Sequence, residues 1–200
     1  FNTEKLNKER YVGNLGLGKR FLSDDTYTLT GFNAFLDYDH YGNTRASIGA
    51  EIKNAVMGLH SNYYKKIDNG SVDEKVLDGY DIEIEGQLPY APWANVSYNS
   101  YSWEAIKASE DSEGDIYSTT INLSNDLTLK AGYDDNNISD SMDFIKLTYK
   151  FGGKDRPIIS DGFSTTAFNN SDVREEMLTK VKRSNIITLE VESTGVVISN

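Results

Sequence analysis

Residues 77–88 read LDGYDIEIEGQL, and their period decides the fold. Tyr80, Ile82, Ile84 and Leu88 fall on one side; Asp81, Glu83, Glu85 and Gln87 fall on the other. A helix would scramble these two sets within two turns, whereas a strand turns successive side chains to opposite faces and keeps the sets apart. The same alternation runs through 143–151, DFIKLTYKF, where Ile145, Leu147, Tyr149 and Phe151 oppose Phe144, Lys146, Thr148 and Lys150. It runs again through 127–134, LTLKAGYD, where Leu129 and Tyr133 oppose Lys130 and Asp134. Extended outward, the pattern predicts nine strands, near 11–22, 27–38, 44–53, 56–65, 79–88, 94–104, 115–124, 127–134 and 143–151.

The links between these strands alternate in length. Short ones are expected near 23–26, 54–55, 89–93 and 125–126, and longer ones near 39–43, 66–78, 105–114 and 135–142. The longer ones are polar, as in KIDNGSVDEKV and KASEDSEGD. Short turns at one end and long loops at the other are the asymmetry of an up-and-down outer-membrane barrel. The fold class that follows is all-β: an antiparallel up-and-down transmembrane β-barrel spanning residues 1–152. The competing reading is a soluble sheet or sandwich with one wet face. Strand charges at Asp81, Glu83, Glu85, Lys130 and Lys146, and tyrosines near strand ends on the apolar face, favour the barrel.

Composition bounds the function. The chain has 200 residues with 20 Lys+Arg against 31 Asp+Glu, a formal charge of −11, which argues against a nucleic-acid partner. There is no cysteine, so disulfides, thiolate metal sites and Cys nucleophiles are excluded, and two histidines leave little for a His-rich metal site. No cofactor is expected. Mean hydropathy is low, yet a barrel whose faces alternate averages out polar. Strand parity, taken with the initial Phe1, leads to the expectation of an odd number of strands upstream.

After Phe151 the alternation stops. Residues 152–171 look like an irregular linker, and DVREEMLTKVKRSN predicts a short helix near 172–183, with Asp172 as N-cap, Glu175 completing a capping box, and basic residues in the last turn. The linker and this helix make a segment 153–190; NIITLEVESTGVVIS alternates again, and 191–200 is expected to begin a new region.

At this point the residues carry a family likeness. The chain resembles the inverse autotransporter β-domain, the barrel of intimin and invasin. The likeness rests on Asn14-Leu15-Gly16-x-Gly18-x-Arg20, on Gly31-x-Asn33-x-Phe35-x-Asp37, on Arg45 and Gly49-Ala50-Glu51, and on Gly79-x-Asp81 with Leu88-Pro89. It continues through Arg183, Asn185, Ile187, Leu189 and Glu190. The resemblance implies a twelve-strand barrel, of which nine are present here, with a post-barrel helix in the pore and a tail that leaves for the cell surface carrying an adhesive passenger. It implies an outer-membrane anchor and secretion device of a Gram-negative bacterium rather than an enzyme. Its partners would be outer-membrane lipid, the barrel assembly machinery and a host or surface receptor reached through the passenger. Tyr149 and Phe151 resemble the terminal signal by which barrels engage that machinery.

Several expectations follow for single residues. Lys180, Lys182 and Arg183 are expected to meet carboxylates such as Glu51, Asp81 and Glu83, with simple solvation as the alternative. Gly16, Gly18, Gly31, Gly49 and Gly132 on the polar face either make room for the plug or serve curvature. Asp37, Asp39 and His40, or Asp134 and Asp135, are the only acidic sets worth a catalytic reading, and Asp134–Asn137 the only cation candidate; each is also ordinary turn chemistry. A passive porin is the alternative function, and the segment after the ninth strand is what separates it from a secretion barrel.

Overall fold

The computed structural model describes residues 10–70, 73–153, 155–168, 171–191 and 195–198, the last four by backbone alone. Nine long strands appear where the alternation places them: β1 Val12–Leu22, β2 Leu29–Asp39, β3 Thr44–Lys53, β4 Met57–Asp68, then a three-residue β5 Glu74–Val76, β6 Gly79–Leu88, β7 Ala91–Trp103, β8 Ser112–Asn122, β9 Leu127–Asn136 and β10 Met142–Tyr149. All the long ones pair antiparallel with their chain neighbours in the order β1-β2-β3-β4-β6-β7-β8-β9-β10. Among the described residues β1 and β10 are paired on one side only. The last predicted strand ends two residues early, so Phe151 lies in the turn after β10 and is exposed.

One end of the sheet carries the connections 23–28, 54–56, 89–90 and 123–126; the other carries 40–43, 69–78, 104–111 and 137–141. The 40–43 link is a tight turn rather than a long loop. Asp39 closes it, its carboxylate accepting the N–H groups of Tyr41 and Asn43, both at 2.9 Å. At the short end, the Asp25 carboxylate accepts the Ser23 hydroxyl at 2.5 Å and the Tyr27 N–H at 3.1 Å, and these bonds hold its pKa below the ordinary carboxylate value.

The two faces of the sheet are inverted relative to a water-soluble protein. Leu15 is 76 % exposed, Leu17 78 % and Ile145 80 %, whereas Asp37, Arg45, Glu51, His60, Asn62 and Asp81 are buried. Among the described residues, buried apolar side chains cluster in two small groups near the long-loop end. One joins Tyr64, Leu77, Tyr101 and Trp103; the other joins Val76, Ile187 and Leu189.

The chain beyond β10 departs from the sequence reading. The helix expected over 172–183 is absent; Arg174–Leu178 forms a single 3₁₀ turn, and Thr179 is already extended. Its N-cap is Val173, not Asp172, although Asp172 Oδ1 accepts the Arg174 N–H at 2.7 Å. The cause is competition for carbonyls. In a helix the carbonyls of Glu176, Met177 and Thr179 would accept the N–H groups four residues on. Here Arg20 Nη1 donates to all three, at 3.0, 3.1 and 2.6 Å. A buried guanidinium in reach of a short, narrow-striped helix is the stronger partner, because donation from a charged group exceeds an amide bond in strength. The tail then forms β11, Thr188–Val191, which pairs with both β5 and β12, Gly195–Ile198.

Candidate functional site

The polar face of the sheet and the tail lying on it form one continuous assembly. Register places its parts: Asn14 lies opposite Asp37, Arg20 opposite Gly31, and Asp37 opposite Arg45, so neighbouring strands present complementary groups side by side. Arg20 Nε donates to Glu51 Oε1 at 2.5 Å, and Arg45 Nη2 to Asp37 Oδ2 at 2.8 Å. Both Arg45 and Asp37 are fully buried. Two rings stack on the cations: Arg45 lies 4.3 Å over Tyr64, and Arg183 of the tail lies 4.4 Å over Phe35.

The tail crosses this face from the short-turn end to the long-loop end. It enters where the Val173 N–H reaches the Thr26 carbonyl at 3.0 Å. Arg20 takes the three carbonyls already described, and Lys53 Nζ pairs with Glu176 at 3.0 Å. Farther along, Asn62 Nδ2 donates to the Lys182 carbonyl at 3.1 Å, Arg45 Nη2 to the Ser184 carbonyl at 3.0 Å, and Asn14 Nδ2 to the Asn185 carbonyl at 3.2 Å. The Tyr64 hydroxyl accepts the Ser184 N–H at 2.7 Å. An extended backbone buried against a sheet face must find partners for its own polar groups, and here side chains supply them in place of a helix or ladder. Lys182 Nζ lies 2.5 Å from both Glu83 and Glu85, and Arg183 pairs with Asp37.

The expected pairings are therefore met in part and rearranged in part. Lys182 meets Glu83 as expected. Arg183 meets Asp37, because Glu51 is committed to Arg20 and Asp81 accepts Asn62 Nδ2 and the Tyr64 hydroxyl. Lys180 is exposed and makes no ion pair among the described residues. The polar-face glycines clear space for cross-strand side chains, not for the tail. A Cβ on Gly16 would meet the Phe35 ring, one on Gly31 would lie 2.6 Å from Glu51 Oε1, and one on Gly49 would meet Asn62 Oδ1. Gly79 is held against Trp103 in the same way, while Asn33 sits buried beside Gly49.

The acidic sets are structural. Asp37 is bonded to Asn14, Arg45 and Arg183; Asp39 to Arg10 and the 40–43 turn; Asp134 to the Tyr101 hydroxyl; and Asn136 closes an Asx turn on Ile138 and Ser139.

Residues that sequence reasoning missed sit mainly on β4. His60, Asn62 and Tyr64 alternate with Leu59, Ser61 and Tyr63, so period two alone would have put them on the polar face. Tyr64 was hidden by the assumption that tyrosines gather in a lipid-facing girdle. Farther along the tail, Glu190 of β11 accepts the N–H groups of Ile106, Lys107 and Ala108 at 2.7, 2.8 and 2.9 Å, a fold-back of the 104–111 loop onto the tail.

Comparison with known proteins agrees with this geometry. The family model "Inverse autotransporter, beta-domain" matches residues 2–185. The chain is 34 % identical over 102 residues to intimin of Escherichia coli O111:H-, a match covering 46 % of this chain and 11 % of that protein. It is 35 % identical over 91 residues to intimin of Citrobacter freundii, covering 42 % of this chain and 10 % of that protein. A putative attaching and effacing protein homolog of Escherichia coli K12 is 32 % identical over 108 residues, covering 49 % of this chain and 36 % of the relative. The matched segments thus span a minor share of these relatives. A solved structure from work on the in-meso crystallization of membrane proteins shares the fold, with a TM-score of 0.74 at 20 % identity over 92 % of this chain and 81 % of that one. The match over residues 2–185 shows that this chain, with its apolar sheet face and its tail, belongs to the inverse autotransporter β-domain family, whose members are adhesins of the Gram-negative outer membrane and not enzymes.

Proposed function

We propose that the chain anchors and exports a surface adhesin: the sheet forms the wall of a transmembrane barrel, and residues 171–191 are the leading part of a passenger held where it passed through the lumen. The observation that carries this reading is the path of the tail, which enters beside Thr26 and leaves beside Leu77 and Lys75, with polar-face side chains taking its backbone groups along the way. A chain in transit has no secondary structure of its own to satisfy its amides, and a lumen that offers Arg and Asn donors supplies that need without sequence-specific contacts. Lipid offers no hydrogen-bond partners, so the reading also requires the outer edges of β1 and β10 to be met by strands. Tyr149 and Phe151 fit a terminal assembly signal for the barrel machinery, and the receptor would be met by the passenger.

The cluster of Arg183, Asp37 and Arg45, buried together between the tail and the sheet, argues against an open porin. The test is a reporter epitope fused after Asn200 in the full protein. Antibody binding to intact cells is the expected result. Binding seen only after the outer membrane is permeabilised would refute export.

A further inference from the structure

Most of what holds the tail is blind to which residue it holds. Arg20, Asn62, Arg45 and Asn14 donate to carbonyls, and the Tyr64 hydroxyl accepts an N–H. Every residue of the tail offers a carbonyl and an N–H, so these bonds fix its path and not its register. Register is left to the side chains. A shift of one residue would turn each side chain to the opposite face, whereas a shift of two keeps the faces and is the competing arrangement.

Part of the tail tolerates a shift of two toward the long-loop end. Lys180 would follow into the place of Lys182 beside Glu83 and Glu85, and it already lines the same cavity. Ile187 would take the place of Leu189 opposite Val76. The entry beside Thr26 need not move. Arg174–Leu178 is a five-residue 3₁₀ turn, and drawing it out from ~2.0 to ~3.3 Å per residue releases about 6–7 Å, the length of two extended residues. Three places do not tolerate the shift. Val181 would replace Arg183 beside Asp37, Thr188 would replace Glu190 at the N–H groups of Ile106, Lys107 and Ala108, and Asn185 would replace Ile187 in the buried cluster. Arg183 and Glu190 are both buried, so the shift would separate two buried charges from their partners, the costliest of these changes.

We propose that Arg183 and Glu190 set where the tail stops: they select this register against one two residues farther toward the long-loop end, and so fix which residue first follows β11. The proposal deepens the export reading, on which it rests for the meaning of a stop.

The test is disulfide mapping in the full protein. Val76 and Leu189 are directly opposite, and Leu77 and Thr188 beside them are hydrogen-bonded. Positions 76 and 189 therefore form a non-hydrogen-bonded pair, whose Cα separation of about 4.5 Å suits a disulfide. V76C/L189C reports the present register and V76C/I187C the shifted one, and the 200 residues contain no other cysteine. Cross-linked peptides are identified by mass spectrometry of non-reduced protein taken from the heat-modifiable, folded band. With the rest of the sequence native, only V76C/L189C is expected to close; closure of V76C/I187C there overturns the proposal. R183Q/E190Q should let V76C/I187C close as well. Moving the two charges, V181R/R183V with T188E/E190T, and N185I to keep the apolar place filled, should transfer closure from V76C/L189C to V76C/I187C. Where that relocated variant shows no folded band, R183Q/E190Q decides alone. Closure of V76C/L189C only in R183Q/E190Q overturns the proposal. Closure of neither pair in its folded band also overturns it, making the two residues retainers of the tail and not selectors of its register. Cross-linking is read whether or not a passenger reaches the surface, so a failed epitope test beside the expected disulfides refutes export and leaves the register assignment standing.

Discussion

Arg183 of the tail reaches the carboxylate of Asp37 on β2 from 146 residues away, and both side chains are almost wholly shielded from solvent. The same carboxylate holds Arg45. One anion thus compensates a cation of the sheet and a cation of the tail. Asp37→Asn would leave two guanidinium groups with insufficient counter-charge. We expect a loss of about 3–5 kcal/mol, the usual consequence of removing one partner from a buried pair. It is measured as a lowered midpoint for the heat-modifiable transition in detergent, and an unchanged midpoint would show that the cluster is not coupled.

The Phe35 ring lies against Gly16 and also carries the Arg183 guanidinium. A methyl at position 16 displaces the ring. Gly16→Ala is expected to destabilise the protein by about 1–3 kcal/mol through overpacking. In a Phe35→Leu background the same substitution should have a much smaller effect. Additive effects in this double-mutant cycle would argue that the ring and the glycine are independent.

Glu190 accepts three consecutive backbone N–H groups of the 104–111 loop. Glu190→Gln keeps the shape but replaces one acceptor oxygen with a donor facing a donor. Bonds to a charged group contribute about 1.5–3 kcal/mol each at most sites, so the amides of Ile106, Lys107 and Ala108 should exchange with deuterium on the order of 10- to 100-fold faster. Exchange at wild-type rates would show that the loop is held by something else.

Leu147 and Lys146 are neighbours in chain on opposite faces of β10. Leu147→Arg puts a charge on the apolar face and is expected to cost about 2–4 kcal/mol at mid-membrane depth. Lys146→Gln should be neutral or slightly stabilising, since it removes a like-charge pair. Refolding yield into lipid vesicles separates the two; equal yields would mean that the faces are misassigned.

The tail is also testable by charge. Lys182→Glu sets three carboxylates together with Glu83 and Glu85 and should make the segment more accessible to protease from outside the cell. Adding Glu83→Lys and Glu85→Lys should restore protection. Failure of the triple variant to recover it would mean that charge at this position does not retain the tail.

The strands and their two faces were legible in the sequence because period two is a local property: each residue's side follows from its neighbour's, and a polar and an apolar set must separate if one face meets lipid. The residues of the family likeness on β1, β2 and β3 were legible too, and the structure brings Asn14, Arg20, Asp37, Arg45 and Glu51 onto one surface. The 172–183 segment was misread for a definite reason. Its capping residues and charge order are those of a helix, and local propensity is all that a sequence displays. What decided its shape was Arg20, more than 150 positions away, whose guanidinium takes the carbonyls a helix would need. The choice of Asp37 by Arg183 has the same origin: which carboxylate remains free depends on Glu51 having met Arg20 and Asp81 having met Tyr64. Alternation fixed which face each residue joins; only the packed sheet could settle which groups on that face are already satisfied, because a hydrogen-bond partner is set by distance in space and not by distance along the chain.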